Sequence, residues 1–159
     1  TTLKAAKWLS KQEDSIIKNF ANILNALNES IKNLDKEIEA ELPEKAQKLT
    51  KLKGIKALTA ATIYTETKGK LISAKALANY AGIAPIDNSS GKRIKHRNNK
   101  TGNRILNSAF YQLSLHQSLW DEKGKAYFEK KLAEGKTKRH ARKCLARQLV
   151  NIVFKILND

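Results

Sequence analysis

Three observations predict an all-α protein. Apolar residues recur at spacings of three and four along most of the chain, the period of helices buried on one side. Leu, Ile and Ala supply most of the 41% hydrophobic content while aromatic residues make up only 6%. No long run alternates apolar with polar residues as a half-buried strand would. The expected architecture is a helical bundle with a helix-hairpin-helix-like element and a projecting long coiled-coil helix. A chain of 159 residues holds one ordinary domain, or a small domain with a helical appendage, but not two of normal size. The division expected is a connector over residues 1–48 and a functional domain over 49–159.

From Ser15 to Leu42 the positions Ile17, Phe20, Leu24, Leu27, Ile31, Leu34 and Ile38 make a coiled-coil seam, and Pro43 stops or kinks it. The residues between them carry mixed charge, so the segment reads as a dimerisation helix or as one arm packing on the C-terminal helix. Leu49 to Thr67 predicts a short helix, a turn at Gly54 to Ala57 and a second helix, resembling a helix-hairpin-helix whose free N–H groups face phosphate. The usual Gly-Ile-Gly turn is here Gly54-Ile55-Lys56-Ala57; Lys51, Lys53 and Lys56 favour the phosphate reading over plain packing. Ser73 to Tyr80 predicts another short helix. Asn103 can cap a helix from Arg104 to about Ser118 that buries Ile105, Ala109, Phe110 and Leu113. Lys123 to Leu132 predicts an amphipathic helix ended by Gly135. Thr137 to Leu157 predicts the closing helix, with a core stripe of Ala141, Leu145, Leu149, Ile152, Val153 and Ile156.

Charge narrows the function. Thirty-one Lys and Arg against 15 Asp and Glu give +16, a balance that opposes compaction and points to a polyanionic partner, nucleic acid before an anionic membrane. The competing explanation is a Lys-rich proteome. Lys138, Arg139, Arg142, Lys143 and Arg147 load the first half of the closing helix, which favours phosphate contacts there, with Arg139 and Arg142 the leading candidates. Cys144 stands alone, which excludes a disulfide framework and a Cys-based zinc site, and it reads as a small buried apolar residue. His116 and His140 read as ordinary side chains rather than ligands. No apolar run approaches the ~18 residues of a membrane span and no signal layout opens the sequence, so a soluble protein of the nucleoid-containing cytoplasm is expected. A start at Thr1 and the absence of Met suggest a piece of something longer.

The sequence turns on the stretch from Tyr80 to Arg104. An apolar segment ends at Gly82 and Pro85, a polar turn presents Ser89, Ser90 and Gly91, and Lys92, Arg93, Lys95, Arg97, Lys100 and Arg104 follow without one acid. A serine hydroxyl needs deprotonation to act as a nucleophile, and a phosphoryl transition state needs cations about its equatorial oxygens. This cluster can supply the cations; His96 is a candidate base. Taken by itself, Ser-Ser-Gly beside basic residues is usually just a turn.

Gly54-Ile55, Thr59-Ala60-Ala61, the run Ser73 to Pro85, Ser89-Ser90-Gly91-Lys92 and Lys100-Thr101-Gly102-Asn103-Arg104-Ile105-Leu106 together resemble the C-terminal domain of the insertion-sequence-110/116/902 transposase family, over about Leu49 to Leu157. The resemblance implies a DNA transposase or site-specific recombinase built from an acidic RuvC-like domain, a coiled coil and a serine-bearing domain. It implies Ser90 as the nucleophile, with Ser89 the alternative. It also implies DNA and a bridge RNA as partners, and magnesium held by the acidic domain rather than by any residue here. The expected assembly is a homodimer or higher homo-oligomer through the coiled coil. Lys53, Gly54, Lys56, Lys92, Arg93, Lys95, Arg97, Lys100, Arg104, Arg139 and Arg142 are the expected nucleic-acid contacts. The rival is a non-catalytic helix-hairpin-helix module in which Ser90 only shapes a turn.

Overall fold

The computed structural model describes Trp8 and residues 15–68, 73–87, 96–99 and 101–158, with the backbone alone at 87 and 96–98. The fold is all-α, as expected: α1 (Ser15–Glu41), α2 (Glu44–Leu49), α3 (Ala57–Thr67), α4 (Ala74–Tyr80), α5 (Arg104–Trp120), α6 (Glu122–Ala133) and α7 (Lys138–Asn158). Between α4 and α5 lies one feature the sequence reading did not anticipate, an antiparallel ladder of β1 (Pro85–Asp87) and β2 (His96–Asn98) pairing Ile86 with Arg97. Three residues per strand leave too short an alternation to register as a pattern.

The chain divides into two compact units, one ending at Glu41 and one beginning at Leu42. The first contains α1. Phe20, Leu27, Ile31 and Leu34 of its seam are each more than half exposed, as are Ile16 and Ile23. Helix propensity alone rarely holds 27 residues together, and the sequence supplies no apolar partner face within the helix itself. Pro43, at φ −57° and ψ 148°, provides the extended residue that separates α1 from α2.

The second unit holds the core, in which Leu49, Ile63, Leu77, Leu106, Phe110, Leu113, Leu149, Val150 and Val153 are buried. α5 is its axis, packing on α7, α6 and α3, while α7 also packs on α2, α4 and α6. Side-chain caps start four of the described helices: Ser73 accepts from Ala76 N, Asn103 from Leu106 N, Asp121 from Gly124 N and Thr137 from His140 N. Each satisfies one of the otherwise orphaned first-turn donors. Gly135, at φ +80°, closes α6 by donating to the Leu132 carbonyl, the left-handed stop expected of it.

Two core assignments are corrected. Ile105 is 53% exposed, and Leu106 takes the buried place, because the inner line of α5 runs through Leu106, Phe110, Leu113 and Gln117, about a third of a turn away at 100° per residue. Ile152 is 44% exposed while Val150 is buried, since the inner face of α7 centres on Leu149 and Val150. Cys144 is only half-buried.

Candidate nucleic-acid interface

The 88–95 stretch joins the two strands of the ladder, and its foot is built by four contacts between the end of α4 and the start of α5. The Asn103 amide N–H donates to the Tyr80 carbonyl at 2.7 Å. Asn107 Nδ2 donates to the Ala81 carbonyl at 2.9 Å and Asn99 Nδ2 to the Asn79 carbonyl at 3.3 Å. Between these bonds Gly82 and Gly102 cross backbone to backbone. A β-carbon on Gly102 would stand 2.9 Å from the Ala81 carbonyl carbon and closer still to Gly82. Gly82 itself has φ +67°, where a side chain is strained. The Tyr-Ala-Gly and Thr-Gly-Asn runs therefore have one shared steric reason: only glycine at both places lets the foot close.

Asn103 is the most connected residue of that foot. Its Oδ1 accepts from Leu106 N at 3.0 Å, and its Nδ2 donates to Glu66 Oε2 at 2.6 Å and lies 3.3 Å from Tyr80 Oη. Arg104 follows immediately and is exposed. With Leu58, Thr59, Thr62, Ile105, Ser108, Ala109 and Gln112 it lines an open groove of about 450 Å³ between α3 and α5.

At the other end of the α3–α5 pair sits the turn that carries Lys53, Gly54 and Lys56. Gly54 has φ +98°, and a β-carbon there would stand 2.9 Å from His116 Nδ1. Gln117, buried on α5, donates from Nε2 to the Lys53 carbonyl at 3.1 Å. Lys53 Nζ reaches Asp121 Oδ1 at 4.0 Å. Lys56 is the extended residue before α3, and no side chain caps it; the Ala60 N–H bonds back to the Lys56 carbonyl. No acid occupies the first turn of α3, so that helix end keeps its partial positive charge.

The closing helix carries a third basic area, and its arginines differ in what they touch. Arg142 lies over the Phe128 ring at 5.8 Å, and its buried Nε has no hydrogen-bond partner. Arg147 donates to Asn151 Oδ1 and to the Ala74 carbonyl, which ties α7 to α4. Arg139 is exposed. Burial pushes the Lys143 amine below the usual lysine range, and Arg139 one turn earlier pushes it the same way.

Of the expected site residues, Ser90, Lys92, Arg93, Lys95 and Lys100 lie outside the described residues, as does Ser89. Arg97, like His96, is described by its backbone in β2 alone. The turn lysines and the hairpin foot are not brought together: they bracket α5, from Arg104 to Gln117, about 20 Å at 1.5 Å per residue. The sequence reading missed Glu66, Asn107 and Gln117, whose partners lie 26 to 64 residues away and leave no local signal. Among the described residues no group of three or more His, Cys, Asp or Glu could hold a metal ion. No helix among them is long and apolar enough to cross a membrane.

Charge is segregated along the chain. Residues 42–159 carry 25 Lys and Arg against 8 Asp and Glu, a net +17, whereas residues 1–41 carry 6 against 7, a net −1. A compositional bias of the whole proteome would raise both units alike. The excess belongs to the unit that holds the hairpin.

Three insertion-element proteins are similar along nearly the whole chain. The IS110 43.6 kDa protein of Streptomyces coelicolor is 32% identical over 92% of this chain and 37% of its own length. The IS116 44.8 kDa protein of Streptomyces clavuligerus is 28% identical over 94% and 39%. The IS900 42 kDa protein of Mycobacterium paratuberculosis is 26% identical over 91% and 38%. The chain thus spans less than two-fifths of the length of the curated relatives it matches. Residues 46–129, from the helix before the Gly54 turn through the glycine crossing and all of α5, match the model of the IS116/IS110/IS902 transposases, and by that match the chain belongs to this transposase family.

Proposed function

We propose that this chain is the serine-bearing, nucleic-acid-binding part of a DNA transposase or recombinase. The observation that carries the reading is the tightly closed glycine foot at which the serine-containing, cation-rich sequence 88–95 begins and ends, on the unit that holds a net +17. A strand follows the groove between α3 and α5, with its phosphates met by Arg104 at one end and by Lys53, Lys56 and the backbone N–H groups around Gly54 at the other, in helix-hairpin-helix fashion. Arg139 and Arg142 extend the phosphate track, and Lys92, Arg93, Lys95, Arg97 and Lys100 are the cations this reading assigns to the reacting phosphate.

Ser90 attacks a phosphodiester phosphorus. Its oxygen forms the new P–O bond, the bond to the 3′ oxygen breaks, and the proton lost by serine ends on the departing 3′ hydroxyl. The phosphoserine link conserves the energy of the broken ester, so a 3′ hydroxyl from another strand can reverse the step and restore a diester with no nucleotide hydrolysis. Magnesium, where the complete protein uses it, belongs to an acidic domain outside this chain, and no step here runs through it. A bridge RNA is a second polyanion for the same basic unit. Exchange of strands needs at least two serines, and α1 joins the copies that bring them.

The test uses the complete element protein. Ser90→Ala should abolish both recombination and the covalent DNA adduct seen after denaturation while leaving DNA affinity within about twofold, and Ser89→Ala should retain adduct formation. Recombination at the unaltered rate in the Ser90→Ala variant would refute the nucleophile and leave a binding module.

A further inference from the structure

Glu66 has no place in the reading above, yet its carboxylate reaches the foot of the serine hairpin. It stands at the end of α3, and Oε2 accepts from Asn103 Nδ2 at 2.6 Å, a short bond from an amide to a carboxylate. The same Asn103 donates its backbone N–H to the Tyr80 carbonyl and caps α5 through Oδ1. One amide side chain thus holds α3, α4 and α5 together at the place where the hairpin leaves the domain.

An asparagine amide is nearly symmetric in shape and can turn over, exchanging its oxygen and nitrogen. A turned Asn103 would point its NH2 group at the Leu106 N–H, lose the cap and loosen the residue next to the glycine crossing. A carboxylate accepts and never donates, so an ionised Glu66 permits only the orientation in which Nδ2 faces α3 and Oδ1 faces the cap. Tyr80 Oη, which can donate or accept, could not enforce that choice alone. In a unit with 8 acids among 25 basic residues, this one is spent on an uncharged amide. Glu44, Asp121, Glu129 and Glu134 of the same unit each stand within 4.0 Å of a lysine nitrogen.

We infer that Glu66 is a positioning residue for the serine hairpin, fixing the Asn103 amide and through it the foot on which Ser90 is presented. The inference rests on the serine reading for its catalytic consequence, but its structural half stands apart.

The experiment exploits polarity. In the complete element protein, Glu66→Ala should lower the rate of phosphoserine formation about tenfold at saturating DNA without changing affinity. Asn103→Asp, which sets two carboxylates face to face, should do the same or worse. The double variant Glu66→Gln with Asn103→Asp exchanges donor and acceptor, keeps the cap and should return to within about threefold of the original rate. A merely space-filling role would leave the double variant no better than Asn103→Asp, and that result, or single variants at the unaltered rate, would overturn the inference. Hydrogen exchange on the present chain separates the two readings. Glu66→Ala should speed exchange at the ladder amides of residues 86 and 97 at least fivefold with α6 and α7 unchanged, whether or not Ser90 is the nucleophile. Unchanged ladder exchange would refute the positioning role by itself.

Discussion

Gly82 and Gly102 touch backbone to backbone, with no room between them for a methyl group. They are 20 positions apart in the sequence, and everything the hairpin presents is strung between them.

Gly102→Ala should therefore force the two backbones apart. Overpacking of this kind costs about 1–3 kcal/mol, and the nearest neighbours of a β-carbon at Gly102 are backbone atoms that cannot swing aside. The shift in the urea midpoint measures the loss, and exchange at the β1–β2 ladder should speed more than exchange in α7.

The Gly54 turn separates two costs that usually arrive together. Gly54→Ala is strained at φ +98° and also presses on His116, an exposed side chain that can move. The backbone share is about 1–2 kcal/mol. His116→Ala alone should change stability by less than about 0.5 kcal/mol, and the double variant should recover the steric share only. Full recovery in a double-mutant cycle would mean that the turn tolerates the left-handed conformation without glycine.

The seam of α1 predicts association. Burying a Leu or Ile side chain is worth about 1.5–3 kcal/mol, and Leu27 and Ile31 are more than half exposed. Sedimentation equilibrium should find a dimer or larger species, and Leu27→Asp with Ile31→Asp should yield the monomer with its helix content otherwise retained. An unaltered chain that stays monomeric at high micromolar concentration would remove α1 as the association surface.

Stability should also respond to acid through Glu134, which closes the α6–α7 connection. Hydrogen bonds from Lys131 at 2.8 Å and Lys136 at 2.6 Å hold its carboxyl down to about 2, against the ordinary 4.5. A folded value below the unfolded one stabilises the folded state fully above about pH 4.5, and that share is lost as pH falls from there toward 2. Glu134→Gln should flatten this part of the acid melting profile, and it should do so less at high salt because the group is exposed.

Much of this molecule could be read before its fold was known, and the failures have physical causes. Helix ends at Asn103 and Gly135 are local chemistry, a side-chain oxygen and a left-handed glycine, and local chemistry is printed in the sequence; the sequence reading missed the Asp121 cap, two residues before the expected start at Lys123. Which side of a helix faces inward is a cooperative matter. Ile105 is as apolar as Leu106, and only the placement of α3, with Leu58 across an open groove, leaves the former outside. The site divides in the same way. The basic run and Ser90 stand out in the sequence, whereas Glu66, Gln117 and the glycine crossing matter through contacts made by folding.

The uneven placement of charge has a consequence for assembly. The unit that holds α1 is nearly electroneutral, whereas drawing together two bodies of +17 is work against Coulomb repulsion that ordinary salt only partly screens. A polyphosphate lying between them removes that work. On the proposed function, the nucleic acid is thereby the counterion that permits two such basic units to approach each other.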